Sequence, residues 1–199
     1  MSMPAVERTV HVVDDDYAVR DSLSMLFRNA GLAVRAYASA LEFLGQTLPA
    51  LPACLVLDIR MPGMSGTALH DALADRGSAL PVIFITGHGD IPTAVEAVKK
   101  GAYDFIEKPF DDYQLLNQVL NALEHPHPES GALPPPASLE QLSAREQQVL
   151  RQVLVGKPSR QIADELHISV RTVEFHRARI MQKLAVRSTA ELFRLCLRR

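Results

Sequence analysis

The sequence predicts a doubly wound α/β domain, a parallel sheet of five strands with helices on both faces, followed by a small all-α domain of four helices. Three observations carry this prediction. From residue 8 to about 124, short apolar runs alternate with amphipathic stretches. Residues 125–138 hold five of the 13 prolines. Beyond them the apolar spacing is helical throughout. A chain of 199 residues is long for one small domain and comfortable for two.

The five strands are expected at Thr9–Val13, Ala33–Tyr37, 54–57, Val82–Thr86 and 103–106. Each is β-branched or aliphatic, nearly continuous in hydrophobicity and bounded by Gly, Pro or Asp, as strands buried on both faces read. Between and after them, Val19, Leu23, Leu26 and Phe27 fall at helical spacing. So do Leu41 and Leu44, Leu69 and Leu73, Ala94 and Val98, and Leu115, Leu116, Val119 and Leu123. Five strands alternating with five helices give an open sheet covered on both faces.

The domains are therefore expected at 8–124 and 139–199, joined by a linker at 125–138 whose prolines exclude a continuous helix. In the second domain Ser143, with Glu146 three residues on, forms a capping box for a helix running to Gly156. A second helix starts near Pro158 or Ser159 and ends around Leu166, a third spans about 169–184, and a fourth starts at Ser188. Some 60 residues in four short helices are too few for most enzyme cores but suit a DNA-binding module.

Charge divides along the same boundary. Residues 1–137 carry nine Lys and Arg against seventeen Asp and Glu; residues 138–199 carry twelve against six. A basic C-terminal part on an acidic N-terminal part is the asymmetry expected where one end meets nucleic acid. Cys54 and Cys196, far apart and among apolar neighbours, read as buried reduced thiols. The N-terminus lacks the apolar core of a signal peptide, and no apolar run approaches the ~18 residues of a membrane span. A cytoplasmic location with no membrane partner is expected.

Reactive groups in open α/β sheets gather beyond the carboxyl ends of the strands. There the sequence places Asp14, Asp15 and Asp16 after strand one, Asp58 after strand three, Thr86 at the end of strand four and Lys108-Pro109 after strand five. Converging carboxylates repel unless a cation lies among them, and Mg²⁺ suits hard oxygen donors. A carboxylate also serves as nucleophile toward phosphorus, with a hydroxyl and an ammonium to neutralise the transferred oxygens. Singly, each Asp reads as a turn or helix cap and Lys108 as a solvated charge; four elements on four strand ends in this order read as a site.

These residues carry a resemblance. With Val12 to Asp16, Leu57 to Gly66, Ile85 to Gly89 and Ile106 to Phe110, the segment 8–124 resembles a receiver domain of the CheY-like superfamily, and from Thr86 to Phe110 it is similar to the FixJ branch. The resemblance implies a sheet order of 2-1-3-4-5 with Asp58 as phospho-acceptor. It also implies Mg²⁺ held by Asp14, Asp15, Asp58 and the backbone carbonyl of Arg60, with Thr86 and Lys108 on the phosphoryl group and a cis Lys108-Pro109 bond. It places a switch aromatic at Phe105, which otherwise reads as a plain core residue; in the family Thr86 and this aromatic move together, repacking helix four and strand five.

In the second domain the two middle helices, joined by His167-Ile168, form a helix-turn-helix whose second member enters the major groove. Val173, His176, Ile180 and Leu184 face inward at helical spacing, with His176 a hydrogen-bonded core histidine. Arg171, Thr172, Glu174, Phe175, Ala178 and Arg179 face outward, and Lys183 completes the candidate DNA-binding set. The arginines suit phosphates, Glu174 a cytosine amino group and Phe175 a thymine methyl. From Leu142 to Glu146, through Ile162-Ala163, Val170 to Arg177 and Ile180 to Leu184, residues 139–196 resemble the LuxR/GerE-type domain of the NarL and FixJ groups, which commonly dimerises through its fourth helix.

Together the resemblances imply a two-component response regulator rather than an enzyme. A partner sensor histidine kinase would phosphorylate Asp58, promoting dimerisation and binding to promoter double-stranded DNA, with RNA polymerase as a further partner. Helix four and strand five are the expected dimer surface, with Val95 an apolar contact unless it faces the core, and Lys99 pairing with Asp104 or Asp111 across a two-fold axis. The prolines of the linker exclude a rigid helical lever, so release of an inhibitory interdomain contact is an alternative route. Two other functions remain to be distinguished. One is an Asp-dependent phosphotransferase or phosphatase for small molecules, for which the sequence offers no further general acid; the other is a receiver that is never phosphorylated.

Overall fold

Five strands pair in one parallel sheet, the second strand along the chain at one edge, followed by the first, third, fourth and fifth. The computed structural model describes residues 7–47, 49–50, 52–87, 91–126, 141–186 and 189–197. Its first domain comprises β1 (Thr9–Val13), α1 (Tyr17–Asn29), β2 (Ala33–Tyr37), α2 (Ala40–Leu44), β3 (Ala53–Asp58), α3 (Gly66–Asp75), β4 (Val82–Thr86), α4 (Ile91–Lys99), β5 (Asp104–Glu107) and α5 (Asp112–Glu124). The second comprises α6 (Ala144–Leu154), α7 (Ser159–Leu166), α8 (Val170–Lys183) and α9 (Thr189–Leu197).

Successive side chains on a strand point to opposite faces, and the strands feed two apolar layers accordingly. Val10, Val12, Cys54, Val56, Ile83 and Ile85 pack with Leu23 and Phe27 of α1 and Leu115, Val119 and Leu123 of α5. Val13, Leu55, Leu57, Phe84 and Phe105 pack with Phe43 of α2, Leu69 and Leu73 of α3 and Val95 and Val98 of α4. Burial of one such Phe stabilises by about 1.5–3 kcal/mol.

Polar residues open the helices as N-caps. Asp16 accepts from the Ala18 amide at 2.8 Å, so its side chain opens α1 rather than joining the acidic site. Asp111 likewise caps α5 through the Tyr113 and Gln114 amides. Ser143 and Glu146 form both halves of the capping box at α6.

The start of β5 is one residue later than expected. Tyr103 is the apolar residue, but ladder pairing begins with Asp104 opposite Ile83. Asp104 is fully buried, which removes it from any exposed rim of a dimer interface. The linker falls outside the described residues except for His125 and Pro126, as do His88 and Gly89 of the fourth-strand motif and the expected helix start at Ser188. Cys54 is buried and Cys196 only partly so, and neither forms a disulfide among the described residues.

In the second domain α8 packs on α6 and α7. Val173, Ile180 and Leu184 are buried with Val149, Leu150 and Val153 of α6. His167 ends α7 in the left-handed region, φ 54°, and so makes the sharp turn into α8. His176 departs from expectation: it is only half-buried, and its Nδ1 is enclosed without a hydrogen-bond partner. The two domains also touch. Helix α9 packs against α4 and β5, and its Leu192 and Phe193 belong to the same apolar cluster as Val95 and Phe105. No helix among the described residues is long and apolar enough to cross a membrane.

Candidate functional site

The strand order reverses between β1 and β3, and this switch point opens a crevice at the carboxyl edge of the sheet. Asp14 follows β1, Asp58 closes β3, Thr86 closes β4 and Lys108 follows β5, so parallel pairing delivers all four to one edge. Lys108 is the hub. Its ammonium donates to Asp58 Oδ1 at 2.7 Å and to Asp14 Oδ2 at 3.2 Å. The other oxygens are held by backbone: Asp58 Oδ2 accepts from the Arg60 amide and Asp14 Oδ1 from the Asp16 amide, each at 2.8 Å. Arg20 clamps the Asp14 carbonyl at 2.7 Å.

Burial raises the Asp14 carboxyl above the usual range, and Asp58 adds to this; the Asp16 amide and the Lys108 charge only partly offset it. At Lys108 the balance is reversed. Burial lowers it, but the hydrogen bond and charge of Asp58, with help from Asp14, outweigh burial and raise it. The site therefore holds two carboxylates on one ammonium. Thr86 is fully buried, its hydroxyl making only a long bond of 3.3 Å to the Gly87 carbonyl. The Lys108–Pro109 bond is cis.

Two carboxylates converging with a nearby backbone carbonyl are donors of the kind Mg²⁺ takes, since that ion uses one or two protein carboxylates and keeps waters. Asp15 is exposed beside them. Among the described residues no three acidic, His or Cys side chains are grouped so that they alone could hold a metal ion. Asp14 and Asp58, with the exposed Asp15 and the Arg60 carbonyl, could hold such an ion in an open, water-completed site. In the sequence Gly66 reads only as the end of the Leu57-to-Gly66 match, with no role of its own. A Cβ there would lie 2.1 Å from the Asp58 carbonyl oxygen, so only glycine lets α3 start directly beneath Asp58. The Asp58 to Gly66 spacing held that signal.

Phe105 is buried, and its ring lies 6.2 Å from that of Phe193 of α9. Val95 is likewise buried, within the cluster that includes Phe193, so in this arrangement it is a core residue and not an exposed dimer contact. Lys99 is exposed and pairs with Glu96 at 2.6 Å within its own helix; Asp111 is occupied as a cap. The surface expected to dimerise is thus covered by α9.

On α8, Arg171, Phe175, Ala178 and Arg179 are exposed, with the Arg179 guanidinium over the Phe175 ring at 5.5 Å. Thr172 is half-buried and bonds Ser169 at 2.8 Å. Two of the candidate DNA residues are engaged within the domain. Glu174 accepts from Ser159 at the start of α7, which also receives Arg177 at 3.1 Å. Lys183 donates to buried Glu146 at 2.7 Å and to the Gln141 carbonyl at 3.2 Å. Its ammonium, first, and the Ser143 amide hold the Glu146 carboxyl down at about 2.

Known proteins place this geometry. Residues 10–120 match the family of response regulator receiver domains, and residues 140–196 match bacterial regulatory proteins of the luxR family. The chain is 45% identical over 190 residues to nodulation protein W of Bradyrhizobium diazoefficiens, covering 94% of this chain and 84% of that protein. It is also 45% identical over 193 residues to the transcriptional regulatory protein FixJ of Rhizobium meliloti, covering 95% of each. The crystal structure of full-length FixJ from B. japonicum superposes with a TM-score of 0.56 at 38% identity over 98% of both chains. With a receiver whose acids meet one lysine, joined to a helix-turn-helix of luxR type, the chain belongs to the FixJ/NarL-type two-component response regulators, a family of transcriptional regulators and not of enzymes.

Proposed function

We propose that phosphorylation of Asp58 by a partner sensor histidine kinase switches the C-terminal domain from a covered to a DNA-competent form. The observation that carries this reading is the contact of Phe105, on the strand leading to Lys108, with Phe193 of α9. The Asp58 carboxylate attacks phosphorus; a P–O bond forms as the donor's P–N bond breaks, and the leaving imidazole takes up a proton. Lys108 shifts from Asp58 Oδ1 to a phosphoryl oxygen, and the Thr86 hydroxyl turns from its long bond at Gly87 to another. Mg²⁺, held by Asp14, Asp58, the Arg60 carbonyl and the rim carboxylate of Asp15, would supply charge neutralisation of the phosphoryl oxygens.

Movement of Thr86 leaves space into which Phe105 turns, withdrawing it from Phe193 and loosening α9 from α4 and β5. Two surfaces are then freed together. The α4–β5 face, with Val95 and Lys99, meets a second receiver, and α9 becomes available to pair with its counterpart. Two linked helix-turn-helix modules gain effective concentration on paired half-sites of promoter DNA. Arg171, Thr172, Phe175, Ala178 and Arg179 meet the duplex there, while Glu174 and Lys183 act chiefly by holding α8 on α7 and α6. Bound in this way, the dimer regulates transcription through RNA polymerase, from a cytoplasmic location.

Incubation with a small phosphodonor and Mg²⁺ tests the reading. A stable acid-labile adduct, absent from Asp58→Asn, is expected. Continuous turnover of the donor points instead to a phosphatase, and absence of labelling to constitutive DNA binding.

A further inference from the structure

We propose that the cleft between the two domains is a binding site for a small organic anion, an apolar body bearing a carboxylate, whose occupancy holds the chain closed. A cavity of about 660 Å³ lies between the segment from Phe105 to Gln114 and helices α6 to α9. That volume is ordinary for a small-molecule site, and such sites favour domain interfaces. Phe105, Phe110, Val153 and Phe193 supply apolar wall from both domains.

The charges of the wall decide the ligand class. Most are already committed. Lys157 is bound to Glu165 at 2.6 Å and Lys108 to Asp58 and Asp14. Glu174 accepts from Ser159, Asp111 caps α5, and Glu107 also has a partner within the protein. Arg160 and Arg177 line the cavity and, among the described residues, neither forms an ion pair. Arg177 reaches Ser159 at 3.1 Å, and Arg160, exposed on the first turn of α7, lines the same cavity. Two cations beside apolar walls favour a carboxylate, which guanidinium binds in bidentate fashion, on a body that fills the space between the phenylalanines.

A ligand that touches both domains binds the closed arrangement and not the open one. The regulatory consequence rests on the phosphorylation-dependent opening proposed above; the binding itself does not. At ten times its Kd, the ligand lowers the DNA affinity of the phosphorylated chain by up to about tenfold.

Calorimetry on the full chain with benzoate, phthalate and glutarate, and with benzamide as the neutral control, tests this at constant ionic strength. At least one acid is expected to bind with Kd at or below about 1 mM, and benzamide at least tenfold more weakly than benzoate. Arg160→Glu should weaken binding at least tenfold, and Gln114→Trp, which fills the cavity from α5, should abolish it. Absence of binding below about 5 mM by all three acids overturns the proposal. So does binding that both substitutions leave intact. Binding without any effect on DNA affinity overturns the regulatory half. Labelling of Asp58 is followed in the same samples, so loss of labelling with binding intact refutes the phosphorylation reading and leaves the ligand site standing.

Discussion

Replacing Gly66 by alanine should damage phosphorylation without touching a charged group. The added Cβ lands 2.1 Å from the Asp58 carbonyl oxygen, 3.0 Å from its carbonyl carbon and 3.1 Å from Ile59 Cα. Ordinary contact begins at 3.4 Å, so α3 and the end of β3 must part by about 1.3 Å. Both partners are backbone, and the Gly66 amide donates to the Ile59 carbonyl at 2.9 Å, so neither yields freely. Overpacking of this kind costs about 1–3 kcal/mol. A displacement of about 1 Å at a reacting group costs on the order of 100-fold in rate. Initial rates of phosphate incorporation at fixed Mg²⁺, with a thermal melt of the same sample, measure both effects. Alanine is the better helix former, so an absent clash would leave Gly66→Ala slightly stabilised. Labelling within twofold of wild type and an unchanged or higher melting temperature would refute the reasoning.

Phe193→Ala should remove about 2 kcal/mol from the interdomain contact, raising DNA affinity of the unphosphorylated chain by up to about 30-fold; fluorescence anisotropy on promoter DNA checks this, and unchanged affinity in a folded variant rules out the contact as a latch. Arg171→Ala and Arg179→Ala should each weaken DNA binding across sequences and reduce the salt slope by about one, read from titrations at several salt concentrations. Glu146 sits at about 2 when folded against 4.5 when unfolded. Its stabilisation is therefore complete above pH 4.5 and lost as pH falls toward about 2. Acid titration of the unfolding midpoint should show this loss in wild type and a flatter profile in Glu146→Gln.

The elements of the fold were legible because their signals are local. Strands such as Val82–Thr86 are continuous apolar runs, and Ser143 with Glu146 writes its cap into four residues. The acidic site was legible because the fold brings strand ends to one edge, so order along the chain becomes proximity. Long-range pairings were not. Glu146 and Lys183 lie 37 residues apart, and nothing in either neighbourhood marks Lys183 as a buried carboxylate's partner rather than a phosphate ligand. Val95 has the helical spacing of a core residue and of a dimer contact alike; only the packing of α9 decides for this arrangement. Asp104 reads as a surface acid, yet strand pairing carries it fully inside.

The central claim is that the phosphoryl group on Asp58 governs the DNA affinity of a domain far along the chain. It is tested most directly by titrating promoter DNA with the full chain, with and without a small phosphodonor and Mg²⁺, beside Asp58→Asn. The phosphodonor should raise wild-type affinity at least tenfold and leave Asp58→Asn at its unphosphorylated level. Equal affinity before and after labelling of wild type, or an equal rise in Asp58→Asn, would contradict the account.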